Sequence, residues 1–204
     1  MRGKFITLEG IEGSGKSTSL DTISKILDTL DIEFIITKEP GGGPLGKDLR
    51  QILLDKKTSI SPEVELLLMM ADRKNHIDNI VEPSLEKGVW VISDRYLDSS
   101  YAYQGGGRQI DTSKIDLLTE LLKLPIPDLT ILFDLSPEIA LQRAKNRSEL
   151  DRFESEPIDF HQRIREAYLN LANDNVERYV VIDASKDIQN VKDQVQKKVN
   201  QFIE

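Results

Sequence analysis

A glycine-rich loop near the N-terminus has the residue types and the spacing that bind a polyphosphate. Residues 10–17 read GIEGSGKS and fit the pattern G-x-x-x-x-G-K-[ST], the phosphate-binding loop or P-loop. In such a loop the backbone N–H groups surround the phosphates, and the lysine reaches the outer phosphates. The serine hydroxyl holds Mg²⁺. The pattern therefore predicts a polyphosphate site in which Lys16 supplies positive charge and Ser17 is a metal ligand.

The elements on either side of this loop fit the same interpretation. Residues 5–8 form a short apolar run typical of a strand, and the apolar residues between positions 20 and 30 recur on one face of a helix. A strand, a glycine loop and a helix in this order direct the helix N-terminus at the phosphates. The alternative is a glycine-rich turn without a ligand, but such a turn does not need Lys16 followed by Ser17.

Charged residues also follow a later strand-like run. In open α/β sheets, ligands bind beyond the carboxyl ends of the strands, so Asp94 and Arg95, directly after the run at 89–92, are candidates for the site. An aspartate at this place is the Mg²⁺ partner expected in P-loop enzymes, and an arginine can grip a phosphate with two N–H groups. The alternative is an ion pair at the end of the strand.

The pattern of apolar residues predicts an α/β fold, with a five-stranded parallel sheet flanked by helices. The predicted strands lie at 5–8, 34–36, 89–92, 129–133 and 179–182. The predicted helices lie at about 45–55, 62–87, 112–123, 137–146, 159–173 and 187–202, besides the helix after the P-loop. We predict a single domain over residues 1–204, in which the highly charged segment 147–158 is a mobile lid.

Composition excludes several classes of function. The 204-residue chain has a net charge of −8, which argues against general binding to nucleic acid or to acidic membranes. It has no cysteine, hence no disulfide or thiolate metal site, which fits a reducing cytoplasm. Its N-terminal apolar run is too short for a signal peptide, and no stretch approaches the ~20 apolar residues of a membrane span. We therefore expect a globular cytoplasmic protein that does not bind a membrane.

Residues 94–105 read DRYLDSSYAYQG and resemble the signature motif of the thymidylate kinase family. Residues 39–42, EPGG, and the P-loop stand at matching places, so the resemblance covers nearly the whole chain. It is greatest to bacterial members with lid arginines, and it implies the architecture of P-loop nucleoside monophosphate kinases. The implied reaction is ATP-dependent phosphorylation of dTMP to dTDP in dTTP biosynthesis, by direct in-line transfer with Mg²⁺. A homodimer is also implied.

The resemblance assigns roles to individual positions. The implied catalytic residues are Lys16, Asp94, Arg95, Arg147 and Arg152. The implied ATP-binding residues are Gly10, Ile11, Glu12, Gly13, Ser14, Gly15, Lys16, Ser17, Thr18 and Arg143. The implied dTMP-binding residues are Glu12, Glu39, Pro40, Arg50, Met69, Arg73, Arg95, Ser100, Tyr103 and Gln104. The implied Mg²⁺ ligands are Ser17 and Asp94.

Within this set, the resemblance gives Gln104 the reading of the thymine edge, and an amide can both donate and accept there. Met69 stands where relatives usually have a phenylalanine that stacks on thymine. Asp72 is expected to pull Arg73 away from the base. The two histidines, His76 and His161, have no ligand spacing and are interpreted as surface or capping residues.

Three other functions compete with this one. A relative that prefers dUMP or another nucleoside monophosphate would share every motif named so far. A regulatory GTPase usually carries N-K-x-D and D-x-x-G, and the sequence contains neither. An ATP-binding subunit without catalysis would not need Lys16, Asp94 and Arg95.

Overall fold

The computed structural model describes residues 2–147 and 149–204, without the side chain of Arg147. Its centre is a five-stranded parallel sheet with the strand order β2-β3-β1-β4-β5. The strands are β1 (Phe5–Glu9), β2 (Phe34–Lys38), β3 (Trp90–Asp94), β4 (Leu129–Asp134) and β5 (Tyr179–Asp183). Each of the five predicted strands is present, so the predicted fold class is confirmed.

Helices flank the sheet, and most of them match the predicted ranges. They are α1 (Lys16–Thr29), α2 (Gly46–Leu54), α3 (Pro62–His76), α4 (Glu82–Glu86), α5 (Leu97–Ser100), α6 (Thr112–Leu122), α7 (Pro137–Arg147), α8 (Ile158–Asp174) and α9 (Ile188–Ile203). The predicted helix at 62–87 is interrupted by a π-helical turn, Ile77–Val81. A second π-helical segment, Tyr101–Gly107, follows α5 and was not predicted. In the part of the chain that the structure describes, no helix is long and apolar enough to cross a bilayer.

Local sequence signals explain where these elements lie. All five residues of β1 are buried, as expected for a central strand with both faces covered. At the start of α3, the side chain of Ser61 accepts a hydrogen bond from the backbone N–H of Val64, and Pro62 occupies the first helical turn. The parallel arrangement brings the carboxyl ends of β1 and β3 side by side, since Leu8 is paired with Asp94.

The described part of the charged segment after α7 is packed against the rest of the protein. The ring of Phe153 is only 5% exposed and belongs to the main hydrophobic cluster. The backbone N–H of Arg152 donates to the carbonyl oxygen of Leu54, at the end of α2. The described part of this segment therefore packs against the end of α2 and against the main hydrophobic cluster.

Candidate active site

The P-loop joins β1 to α1, and glycines give it its shape. Gly10, Gly13 and Gly15 have positive φ angles of 135°, 76° and 96°. A Cβ atom at Gly13 would also lie 2.6 Å from the carbonyl oxygen of Ala140, on the neighbouring α7. Both the backbone conformation and this close approach require glycine, so the loop can turn sharply beneath α7.

Lys16 lies inside the loop that it is predicted to serve. Its side chain is buried, and Nζ donates to the carbonyl oxygens of Gly10 at 2.9 Å and Ile11 at 3.1 Å. Burial, followed by the charge of Arg95, lowers the pKa of Lys16. A bound polyphosphate would act in the opposite direction, because an anion favours the charged form. The charged form of Lys16 is thus disfavoured in the free protein, and a bound anion would stabilise it.

Arg95 follows the last residue of β3 in a left-handed conformation, with φ at 72°. Its guanidinium group donates to Glu12 Oε1 at 2.5 Å and to the hydroxyl of Tyr103 at 2.9 Å. The hydroxyls of Ser99 and Tyr168 accept from its other terminal nitrogen, each at 3.2 Å. An ion pair at the end of the strand, the alternative to a phosphate-binding role for Arg95, is therefore present, and it joins Arg95 to the acidic residue of the P-loop.

The metal ligands predicted from the sequence, Ser17 and Asp94, line one cavity. Within the described residues, Asp94 Oδ1 is buried and has no hydrogen-bond partner. A carboxylate and a hydroxyl oxygen suit Mg²⁺, which usually binds one or two carboxylates together with substrate phosphates and water. The same part of the chain contains no cluster of three or more acidic, histidine or cysteine side chains that could hold a metal alone. The residues present therefore fit Mg²⁺ bound with a nucleotide.

The cavity has a volume of about 390 Å³ and opens beside the P-loop. Its walls include every residue predicted to bind dTMP, namely Glu12, Glu39, Pro40, Arg50, Met69, Arg73, Arg95, Ser100, Tyr103 and Gln104. Ser17, Asp94, Asp151 and Phe153 also line it. The structure thus brings together side chains from six separate stretches of sequence, at 12–17, 39–40, 50, 69–73, 94–104 and 151–153.

A buried cluster centred on Glu39 forms one wall of the cavity. The Glu39 carboxylate accepts from Arg73 Nε at 2.7 Å and lies 2.8 Å from His76 Nδ1. Arg73 also donates to Ser100 Oγ at 2.8 Å. The interpretation of His76 as a surface or capping residue is wrong, because it is fully buried and its Nε2 lies 2.7 Å from Thr37 Oγ1. No local pattern in the sequence indicates these partners.

Asp72 supports the loop after β2 instead of Arg73. Its Oδ2 atom accepts from the backbone N–H of Gly41 at 3.0 Å, and burial raises its pKa. Because Arg73 is hydrogen-bonded to Glu39, the expectation that Asp72 pulls Arg73 away from the base is wrong. Arg50 braces the same loop by donating to the carbonyl oxygen of Pro40 at 2.7 Å.

Gln104 and Tyr103 come from the π-helical segment and also line the cavity. Gln104 is buried, and its Nε2 donates to Glu65 Oε1 at 2.9 Å. The ring of Tyr103 packs edge-on against Phe153, with a centroid distance of 5.7 Å. Glu65 was not predicted to belong to the site, although the spacing of Glu65, Met69 and Arg73 at every fourth residue places all three on one face of α3.

Comparison with known sequences gives the family. A family model described as "Thymidylate kinase" matches residues 8–195. The chain belongs to the thymidylate kinase family. Members of this family are kinases that phosphorylate dTMP to dTDP with ATP as the phosphate donor, so the predicted enzyme class is confirmed.

Curated thymidylate kinases from several bacteria are similar to the chain over most of its length. That of Carboxydothermus hydrogenoformans is 51% identical over 187 residues, covering 91% of each chain. That of Nitrosomonas eutropha is 44% identical over 202 residues, covering 98% of this chain and 94% of its own. That of Cupriavidus necator is 46% identical over 200 residues, covering 97% of this chain and 98% of its own.

The arginines that the thymidylate kinase resemblance places near ATP have different surroundings. Arg143 Nη1 lies 3.4 Å from the carbonyl oxygen of Gly13 and 3.3 Å from that of Ala184, beside the P-loop. Arg152 instead donates to Glu65 Oε2 and to the carbonyl oxygen of Leu53, each at 2.7 Å. The side chain of Arg147 lies outside the described residues, as does Ser148. The catalytic roles of Arg147 and Arg152 stay predictions.

Glu9 is a second acidic residue that sequence analysis missed. It ends β1 in full burial, where Oε1 accepts from the backbone N–H of Tyr96 at 2.8 Å. Its Oε2 accepts from Ser99 Oγ at 2.6 Å and from the Tyr168 hydroxyl at 2.8 Å. Burial, with the nearby charge of Asp98, raises the pKa of Glu9 to about 7. An acidic residue in an otherwise apolar strand was the one available signal.

The raised pKa makes Glu9 a source of pH-dependent stability. The folded protein holds a proton on Glu9 up to about pH 7, whereas the ordinary pKa is 4.5. The free energy of unfolding therefore falls as pH rises through this window, by up to about 3 kcal/mol from this group. We expect the free energy of unfolding of Glu9→Gln minus that of the parent, measured by urea unfolding, to be larger at pH 8 than at pH 5. If this difference between variant and parent is the same at pH 5 and at pH 8, the raised pKa of Glu9 is contradicted.

Proposed function

We propose that this chain transfers the γ-phosphoryl group of ATP directly to the phosphate of dTMP, where the P-loop meets the cavity. One observation carries the proposal. Lys16 follows the loop after β1, and Asp94 and Arg95 lie at the end of β3, which is paired with β1. The cavity lined by the residues predicted to bind dTMP opens at the same edge of the sheet. Two nucleotides bound on either side of this edge would present their phosphates to each other, as in-line transfer requires.

The charges at this edge support a division of roles between the two nucleotides. The N–H groups of residues 10–18 and the ammonium group of Lys16 bind the ATP phosphates, with Arg143 beside the loop. Arg95 and Arg50 grip the phosphate of dTMP, and Glu12 lies toward its sugar. The 2.5 Å contact between Arg95 and Glu12 supports this placement, because it joins the two binding regions. Catalysis then consists mainly of positioning and charge stabilisation.

Magnesium completes the proposed site. Ser17 and Asp94 would hold the ion, together with oxygen atoms of the nucleotide and water. When bound, Mg²⁺ neutralises charge on the phosphates. Asp94 Oδ1 supports this assignment, because it is buried and has no hydrogen-bond partner in the part of the chain that the structure describes.

We further propose a single kinase domain over residues 1–204, with a mobile lid at 147–158, that acts as a homodimer in the cytoplasm. Leu67 on α3 is 55% exposed, and Leu117 and Leu121 on α6 are 65% and 71% exposed. The two helices are linked by an ion pair of 3.6 Å between Glu63 and Lys114, so a second copy could cover both. The absence of cysteine supports a reducing compartment.

A substrate panel tests the proposed function. ADP release is measured in a coupled assay with ATP and, in turn, dTMP, dUMP, UMP, CMP and AMP. We expect kcat/KM to be highest for dTMP. A clear preference for dUMP would favour the closest alternative enzyme, and a preference for AMP or CMP would contradict the proposed base site.

Met69 offers a test of base stacking. It is half-buried in the cavity wall, where its flexible thioether packs less well on a ring than an aromatic side chain would. We expect Met69→Phe to tighten dTMP binding by about 0.5–1.5 kcal/mol, measured by calorimetry. Weaker binding by a folded variant would show that the cavity is shaped around methionine.

The lid arginines offer a test of charge stabilisation during transfer. We expect at least one of Arg147→Ala and Arg152→Ala to lower kcat by about 10²-fold or more, with little change in KM for dTMP. The assays compare each single variant with the double variant. A parent-like kcat in the double variant would contradict the catalytic role. If Arg152→Ala raises KM for dTMP and leaves kcat unchanged, this arginine acts only through its contact with Glu65 and not on the transfer step.

A further inference from the structure

The carboxylate of Glu65 contacts three side chains, one of which, Gln104, lines the cavity. The side chain is only 1% exposed. Gln104 Nε2 donates to its Oε1 atom at 2.9 Å, and Arg152 Nη1 donates to its Oε2 atom at 2.7 Å. Arg108 Nε lies 3.3 Å from Oε1 and 3.2 Å from Oε2. All of these neighbours are donors, so the carboxylate is held in one place.

These contacts determine which way the Gln104 amide points. An amide has an N–H₂ group at one end and a carbonyl oxygen at the other, and the hydrogen-bond partner decides which end faces it. The ionised carboxylate of Glu65 can only accept, so the N–H₂ group of Gln104 must face it. Gln104 also lines the cavity. The carbonyl oxygen Oε1 is therefore the end of the amide that faces away from Glu65 and can accept from a ligand, while the second hydrogen of Nε2 stays available to an acceptor beside it.

We propose that Glu65 sets the base specificity of this site by orienting Gln104, so that Oε1 of Gln104 reads the base as an acceptor. The inference rests on the proposed function, in which this cavity holds a pyrimidine nucleotide. An acceptor pairs with a ring N–H, which thymine and uracil carry at N3. Cytosine has a lone pair at N3 instead, so two acceptors would face each other. Glu65 is a positioning residue in this account and does not touch the base.

Two basic residues keep Glu65 in this orientation. Arg108 follows the π-helical segment, where it also pairs with Glu156 and has its guanidinium carbon 4.7 Å from the ring centroid of Phe160. Arg152 belongs to the segment after α7, and its guanidinium carbon lies 4.5 Å from the ring centroid of Phe153. Both cations are thus held by aromatic rings while they bind the carboxylate. The orientation of Gln104 is built by side chains from three separate parts of the fold.

The test compares two substrates that share the 5-methyl group and differ at ring position 4 and in the hydrogen on N3. The ratio of kcat/KM for dTMP to that for 5-methyl-dCMP is measured in the parent and in Glu65→Gln. The introduced amide can donate to Gln104 Oε1 and so let Nε2 turn to the base. We expect the ratio to fall at least about tenfold, with KM for ATP unchanged. A Glu65→Gln variant that slows both substrates equally would overturn the proposal.

The control is Glu63→Gln, which makes the same chemical change on α3 at a carboxylate with 58% exposure. We expect it to leave the ratio unchanged, and a tenfold fall there would overturn the proposal. A second variant decides the question if Glu65→Gln does not fold. In Gln104→Glu, the oxygen facing Glu65 takes up a proton and the other oxygen stays an acceptor, so the preference for dTMP is retained. A reversed preference would overturn the proposal.

The outcomes separate this inference from the proposed function. A parent protein that makes no dTDP from dTMP would overturn the proposed function itself. A parent that makes dTDP but prefers 5-methyl-dCMP would overturn only the orientation of Gln104. Formation of dTDP with an unchanged ratio in a folded Glu65→Gln variant would overturn only the role of Glu65.

Discussion

Replacing Lys16 with alanine is expected to lower kcat by about 10²–10³-fold or more while the protein still folds. The side chain supplies a point charge that must follow the transferring phosphoryl group. Its own contacts are hydrogen bonds to the carbonyl oxygens of Gly10 and Ile11 within the same loop. Since burial lowers its pKa, the ammonium group is not favoured by its surroundings in the free protein. Removing the side chain should therefore lower kcat without lowering the free energy of unfolding.

The measurement is single-turnover kinetics with ATP and dTMP, together with circular dichroism of the variant. Lys25→Ala provides the matched control, because Lys25 is an exposed lysine on the same helix, α1. We expect the control to turn over at the parent rate. A parent-like kcat in folded Lys16→Ala would end the interpretation of residues 10–17 as a catalytic P-loop.

Arg95→Ala is expected to lower kcat/KM for dTMP by about 10²–10³-fold, with little change in KM for ATP. In the proposed phosphate site, the guanidinium group lies 2.5 Å from the carboxylate of Glu12. Its removal takes away a cation that the proposed function places on the dTMP phosphate, beside the carboxylate of Glu12. Arg95→Lys should recover only part of the loss, since an ammonium group lacks the planar fork that binds two oxygens at once.

Arg2→Ala is the control for this variant, because Arg2 forms an exposed ion pair of 3.1 Å with Glu82, which contributes little to stability. Initial rates are measured over a range of each nucleotide while the other is saturating. Equal losses in KM for ATP and for dTMP would contradict the assignment of Arg95 to the dTMP phosphate. An unchanged kcat/KM would show that the arginine serves only the ion pair with Glu12.

Local sequence patterns were sufficient to predict the sheet and the P-loop. The apolar run at 129–133 became β4, Leu129–Asp134, because a buried central strand needs apolar residues on both faces. The P-loop was equally predictable, since its glycines and Lys16 act within one continuous stretch. Ser17, Asp94 and Arg95 were predicted from the P-loop pattern and from the end of a strand, whereas the other predicted cavity residues came from the family resemblance, which supplied positions that no periodicity distinguishes.

The supporting residues could not be predicted, because their partners are distant in sequence. Glu9 is bonded to Tyr168, which is 159 residues away, and Glu65 to Arg152, which is 87 residues away. The π-helical segment was missed for a related reason. A Cβ atom at Gly106 would lie 2.7 Å from that of Ala167 on α8, so glycine at this position permits a close packing that no local pattern indicates. Such contacts exist only in the folded chain.

The most direct test of the central claim is identification of the products from the parent protein with ATP, dTMP and Mg²⁺. Chromatography follows ADP, dTDP and free phosphate over the same time course. Direct transfer between two bound nucleotides predicts that ADP and dTDP appear in equal amounts, with no free phosphate beyond the background without dTMP. ADP accompanied by free phosphate, with no dTDP, would contradict the account.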